Sequence, residues 1–214
     1  MNITRALNSV AVVTAFAVAG SALANNKVAV AGAKVAATVT PKVDVTKSVV
    51  KWEGQKVIGG GHWGHIGIKT ADLSFDAKGE PTAAKIVVDV KSIEVKDLTG
   101  DKAAGLKGHL QSPDFFDTEK FPEATFVAKK FTKVSGKELK YKVDGDLTIK
   151  GTTHPNSFTM EVEKEKTGTK VEGELKFDRT KYNVMFNSGK LLDTAKDKII
   201  KDEVELDIDL AMAN

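Results

Sequence analysis

Residues 58–69, IGGGHWGHIGIK, carry the chain's most suggestive set of chemical groups. Gly59, Gly61 and Gly64 satisfy G-x-G-x-x-G, the spacing at which backbone amides can cradle a pyrophosphate. Two of the four histidines, His62 and His65, stand in the same stretch. A dinucleotide site needs the glycine turn to open a helix whose N-terminus faces the phosphates. The residues that follow, HIGIKTADLSFD, include a further glycine and alternate in the manner of a strand, so that helix is missing. A kinase-type loop does lie between strands, but its H-R-D and D-F-G partners occur nowhere in the sequence. As a metal pair, His62 and His65 are an odd number of residues apart and point to opposite faces of an extended chain. His109 and His154 add neither H-x-H nor H-E-x-x-H spacing. What the glycines do suit is a kink or coil where a barrel curves or opens.

Covalent catalysis finds no better footing. There is no G-x-S-x-G and no cysteine, and the many carboxylates fall on the polar faces of predicted strands. The sequence therefore reads as that of a non-enzyme. Arg179 is the exception to a lysine-dominated basic set, the only arginine after Arg5. Strand parity continued from Leu175 and Phe177 turns it inward, where an unpaired charge is expensive. It should meet either a ligand head group or a carboxylate, such as Asp114 or Asp117.

The elements that must hold these residues are strands. In LKYKVDGDLTIK, the residues Leu139, Tyr141, Val143, Gly145, Leu147 and Ile149 alternate with charged or polar partners over eleven positions. Val171, Gly173, Leu175 and Phe177 repeat the pattern, as do Val204, Leu206, Ile208 and Leu210. Weaker versions surround Trp52, Ile86, Phe126 and Phe158. The inward parity shifts from Ile66 and Ile68 to Ala71, Leu73 and Phe75, which predicts a bulge near Lys69–Thr70. Turns are expected at DAKGEP (76–81), VSGKE (134–138), GTTHPN (151–156) and KTG (166–168). One stretch departs from this period: a short helix is expected near 101–111, then a helical turn at Asp114–Thr118. Many antiparallel strands with one apolar face make a sandwich or a barrel. An eleven-residue strand spans roughly 36 Å, long for a sandwich, which favours an elongated barrel.

The ends and the totals bound the setting. Arg5, the uncharged run Ser9–Ala22 and the small residues Ala22-Leu23-Ala24 read as an export signal, cleaved after Ala24. The apolar run is shorter than the roughly 20 residues of a spanning helix, so no integral membrane segment is expected. Asn25–Lys42 reads as a flexible leader and 43–214 as one domain. Export without cysteine implies a core that holds unaided in an oxidising compartment, and no lipid anchor on a cysteine. With 32 basic against 29 acidic residues, interleaved, a nucleic-acid partner is not expected.

Three stretches in order, HLQSPDFFDTEKFPEATF (109–126), VDGDLTIKGTTHPNSF (143–158) and LKFDRTKYNV (175–184), resemble the YceI-like family of exported lipid-binding proteins. The resemblance covers about Val43 to Leu210. It implies an all-β, eight-stranded antiparallel lipocalin-like barrel, the helical insertion at about 101–118 and an apolar interior tunnel. It further implies a periplasmic carrier, monomeric or weakly dimeric, for a long-chain lipid such as an isoprenoid quinone or polyprenyl compound, with no cofactor. On that reading Trp52, Phe75, Phe126, Tyr141, Phe158, Phe177 and Arg179 line the tunnel, and His62, Trp63 and His65 sit at its mouth. Small inward residues such as Gly145 and Gly173 are expected to leave space. The glycine-rich segment and the long stretch Met185–Leu206 depart from the commoner family pattern, both where a mouth could lie. Two other readings remain open: a stress-related or interaction domain whose aromatics fill a solid core, and an enzyme acting inside the tunnel.

Overall fold

The computed structural model describes residues 40–137, 139–165, 168–191 and 195–212. The expected export signal, and the leader as far as Val39, lie outside the described residues. Eight strands follow one another: β1 (Val49–Lys56), β2 (Gly61–Phe75), β3 (Pro81–Val95), β4 (Glu123–Lys133), β5 (Lys140–Ile149), β6 (Thr152–Glu165), β7 (Gly168–Asp178) and β8 (Ile200–Met212). Each pairs antiparallel with its sequence neighbour, and β8 returns to β1, so the sheet closes into an up-and-down barrel. Closure removes the edges that eight amphipathic strands would otherwise expose.

The alternation in β5 translates directly into geometry, with Tyr141, Val143, Gly145, Leu147 and Ile149 all buried. The expected bulge in β2 is present: Ile68 faces Val88 and Thr70 faces Val87, leaving Lys69 as the extra residue. The two barrel ends differ. The hairpin end carries the turns at 76–80 and 134–139. The other, helical end carries α1 (Gly100–Gln111), between β3 and β4, and a 3-10 turn at Arg179–Tyr182 after β7.

Two local expectations need correction. Residues 112–122 form turns rather than a second helical segment; Asp117 takes φ 48°, and its N–H bonds back to the Ser112 carbonyl. The β5–β6 turn is confined to Lys150 and Gly151, and His154 and Pro155 lie inside β6. Proline is tolerated there because β6–β7 pairing begins only at Thr159, so no ladder asks for its missing N–H.

An apolar chamber as the candidate functional site

The lower half of the interior, toward the hairpin end, is solid. Leu73, Tyr141, Val143, Met160, Val171 and Leu210 interleave there, and Val43, from the segment before β1, seals the end against Met212. Tyr141 donates its hydroxyl to Glu80 Oε2 at 2.8 Å, and Lys133 Nζ reaches Glu80 Oε1 at 3.0 Å. Burial, then the Glu80 hydrogen bond, push the Tyr141 phenol up to about 12. The Lys133 and Tyr141 hydrogen bonds hold the Glu80 carboxyl below its ordinary value.

The upper half is hollow. A cavity of about 130 Å³ lies beneath the helical end, walled by β1, β2, β3, β4, β5, β7 and β8, with Leu110, Phe115 and Phe116 from the insertion and Val184 from beyond β7. Such a volume is close to the ~150 Å³ of apolar cavities known to stay dry and accept a benzene-sized guest. Among the described residues, Thr125 and Arg179 are the only lining ones outside the apolar, glycine and tryptophan set.

The two halves meet at a floor. Phe126 on β4 and Phe158 on β6 pack edge to face, their centroids 5.1 Å apart. Beneath them a void of about 10 Å³ shares Phe126, Ile86 and Ile208 with the upper wall. Each ring sits on a glycine. A Cβ built on Gly145 would lie 2.5 Å from Phe126 Cζ, and one on Gly173 would lie 2.7 Å from Phe158 Cε2. These glycines do not leave space, as their size alone suggests; the rings occupy it.

Trp52 and Arg179 could reach across the chamber, but both are tied to its wall. Trp52 Nε1 donates to the Glu94 carbonyl at 3.1 Å. That bond passes over Gly64, where any Cβ would collide with the Glu94 carbonyl and lie 2.8 Å from Trp52 Nε1. The third glycine of the apparent nucleotide motif is thus a berth for an indole. Arg179, 2% exposed, donates from Nε to the Lys201 carbonyl and from Nη1 to those of Val184 and Phe186. Its Nη2 donates to the Ile200 carbonyl and to Asp202 Oδ1 at 3.3 Å. All five guanidinium donors are used. Burial lowers its pKa and the Asp202 and Asp178 carboxylates oppose that shift. Its acid is therefore Asp202, not Asp114 or Asp117; Asp114 instead meets His109 Nε2 at 3.2 Å.

Arg179 also frames a thin part of the wall. Between the pairs Gly54–Val204 and Lys56–Ile200 the β1–β8 register shifts, with β8 carrying Lys201, Asp202 and Glu203 against Gln55 alone. Arg179 holds this bulge through the Lys201 carbonyl and the Asp202 carboxylate. Beside it Gly54, Ile200, Val204 and Leu206 are chamber-lining yet only half-buried, and a Cβ on Gly54 would meet nothing within 4 Å.

Of the residues singled out in the sequence, Trp52, Phe126, Phe177 and Arg179 line the chamber. Phe158 lies under it as the floor's second ring, and Phe75 and Tyr141 belong to the solid half. At the rim, His62 Nδ1 and Asp97 Oδ2 are 2.8 Å apart, and the Trp63 N–H donates to Asp97 Oδ1. Burial raises the Asp97 pKa, but the His62 and Trp63 hydrogen bonds outweigh it and leave the carboxyl below its ordinary value. Trp63 and His65 lie side by side on the outer wall, their rings tilted at 53° with centroids 5.9 Å apart, and Lys51 Nζ is 5.7 Å from the Trp63 ring. His62 and His65 do fall on opposite faces, and among the described residues no cluster of His, Asp and Glu could hold a metal ion. Asp202, Gly54 and the glycine seats were missed; only the position of each seat opposite an inward phenylalanine could have signalled it.

A closed up-and-down barrel around a one-sided apolar chamber defines a lipocalin-like barrel. The YceI-like domain model matches residues 42–212, and the chain belongs to that family. It is 37% identical over 92 residues to a UPF0312 protein of Photorhabdus laumondii, and 38% identical over 102 residues to one of Vibrio parahaemolyticus. These matches span 42% and 47% of this chain and 43% and 48% of the relatives, so the chain aligns with about half the length of each. Among solved structures, Burkholderia cenocepacia BcnA superposes with a TM-score of 0.63 at 27% identity, over 79% of this chain and 99% of that one. A polyisoprenoid binding domain from Saccharophagus degradans shares the fold, with a TM-score of 0.55 at 16% identity, over 83% of this chain and 98% of that one.

Proposed function

We propose that the protein is an exported, periplasmic carrier or sequestering protein that holds the tail of a long-chain, isoprenoid-type lipid in the upper chamber. The observation that carries this reading is a chamber whose two polar-tipped long side chains, Trp52 and Arg179, have their donors committed to the protein itself. What remains for a guest is carbon. The polyisoprenoid-binding description of the Saccharophagus domain supports the same ligand class. Each methylene moved from water to such a wall contributes about 0.8 kcal/mol. Ten carbons give about 8 kcal/mol and twenty about 16, against association costs of about 4–15 kcal/mol. A short tail would hardly stay bound, which favours a long one. The chamber as it stands takes a short part of such a tail, so a longer one requires the Phe126–Phe158 floor and the packing beneath it to give way. Among the described residues, no pair of polar groups suited to acid–base work lines the chamber, which supports binding over catalysis.

The test is denaturing organic extraction of protein purified from its native host, followed by mass spectrometry. A long-chain isoprenoid lipid near one equivalent per protein is expected. Repeated absence of any stoichiometric lipid would overturn the carrier reading in favour of an interaction domain.

A further inference from the structure

Beside the thin part of the chamber wall stands the β1–β2 turn. Its outermost side chains, Val57 and Ile58, are 55% and 57% exposed, the highest values for large hydrophobic residues among the described residues. The turn is anchored: the Val57 N–H donates to the Ile199 carbonyl at 2.9 Å, and the Lys56 N–H to the Gly60 carbonyl at 3.3 Å. Gly59, at φ 98°, makes the reversal. The apolar tip is therefore held out into solvent by a fixed backbone, three residues beyond Gly54 of the chamber wall.

Lysines surround it. Lys56 adjoins the tip, and the Ile199 contact brings up the segment that bears Lys196, Lys198 and Lys201, all exposed. Of the acids described there, Asp197 and Glu203 are exposed, while Asp202 is engaged by Arg179 and by Lys190, so the exposed lysines outnumber the exposed acids. Leu191, 42% exposed, adds a further apolar side chain to the same connection between β7 and β8.

Two or three projecting aliphatic side chains do not make a protein interface, which typically takes about 800 Å² from each partner around a packed apolar centre. A bilayer surface, by contrast, admits an isolated apolar wedge into the headgroup–acyl boundary and attracts each nearby lysine through its anionic lipids. We infer that the Val57–Ile58 tip and its lysine collar dock this end of the barrel onto an anionic lipid bilayer, turning the Gly54 seam toward the membrane. Docking is independent of what the chamber holds; its use in loading and unloading a tail rests on the carrier reading.

Co-sedimentation with vesicles tests it, using purified wild type beside the double variant V57D/I58D, so that any contribution from residues 1–24 is common to both. With equal parts phosphatidylcholine and phosphatidylglycerol, the double variant should lose about tenfold or more in partition coefficient, since two aliphatic insertions become charges. The pair K56E/K198E should lose about fivefold per lysine at low salt. Phosphatidylcholine alone should retain less wild-type protein than the mixed vesicles. Uptake of a soluble fluorescent long-chain probe should be unchanged in both variants, which separates docking from the chamber's own binding. Equal sedimentation of wild type and V57D/I58D would overturn the proposal, as would a wild type indifferent to anionic lipid.

Discussion

The helical-end and hairpin-end halves of the barrel share the same eight strands and the same alternation, yet one is hollow and the other solid. Apolar content does not explain the difference, because both interiors are lined by aliphatic and aromatic side chains. Reach does. In the lower half Tyr141, Met160, Leu73 and Leu210 converge, and Val43 closes the end. In the upper half Val50, Ile66, Val204 and Ile208 are too short to meet across the barrel, and Trp52 and Arg179 are bonded back to the wall. A cavity here is a consequence of hydrogen bonding that restrains large side chains, with the Phe126–Phe158 pair marking where ordinary packing resumes.

The comparison can be tested most severely at Arg179. Arg179→Met strands four backbone carbonyls and the Asp202 carboxylate, so a loss of about 3–5 kcal/mol in urea denaturation is expected, together with weaker chamber binding. At the boundary, Phe126→Ala should cost about 3 kcal/mol. It should also join the two voids and shift the preferred length of a bound alkyl or isoprenoid chain upward, read from a competition series of graded chain lengths. Within the walls, Leu210→Ala in the solid half should cost about 3 kcal/mol, against about 1 kcal/mol for Leu206→Ala, which already faces empty space. Equal costs at the two leucines would show that the chamber is filled in solution. Gly173→Ala drives a methyl into the Phe158 ring and should cost about 1–3 kcal/mol, through overpacking, without lengthening the accepted chain.

The mildest probe is titration. The chain has two tyrosines, Tyr141 and Tyr182, and burial raises the pKa of both, with Tyr141 at about 12. The raised value means that the fold favours the neutral phenol. This contribution is complete below the unfolded value near 10 and is lost as pH rises through 12. In a Tyr182→Phe variant, where Tyr141 is the one remaining tyrosine, tyrosinate absorbance should therefore stay low at pH 10–11. Full ionisation there, with the fold intact, would show that the hairpin end is not sealed.

Much of this architecture was legible in the sequence. Strict alternation located β5, β7 and β8, and the parity break in β2 located the bulge at Lys69. Trp52, Phe126 and Phe177 were picked out as inward aromatics, but periodicity cannot tell how far along a barrel axis a side chain sits. Phe75 and Tyr141 were thus grouped with them although they belong to the solid half. Parity turns Arg179 inward, as the structure has it, but does not reveal its partner, because Asp202 is delivered by a bulge that leaves no periodic signature. Gly145 and Gly173 were read from their own size; their meaning depends on rings supplied by neighbouring strands.

The β1–β8 ladder also bears on how the chain folds. Seven of the eight ladders join sequence neighbours, but this one pairs Val49 with Asp209 and Gly54 with Val204. Closing a loop of that length costs about 2 kcal/mol more entropy than closing one a tenth as long, so this ladder is expected to assemble last. It also carries a register slip, with half-buried chamber wall and the exposed Val57–Ile58 tip beside it. The cylinder is zipped shut along a line that already carries a slip in its ladder, and local opening there would retrace the final step of assembly over a few residues.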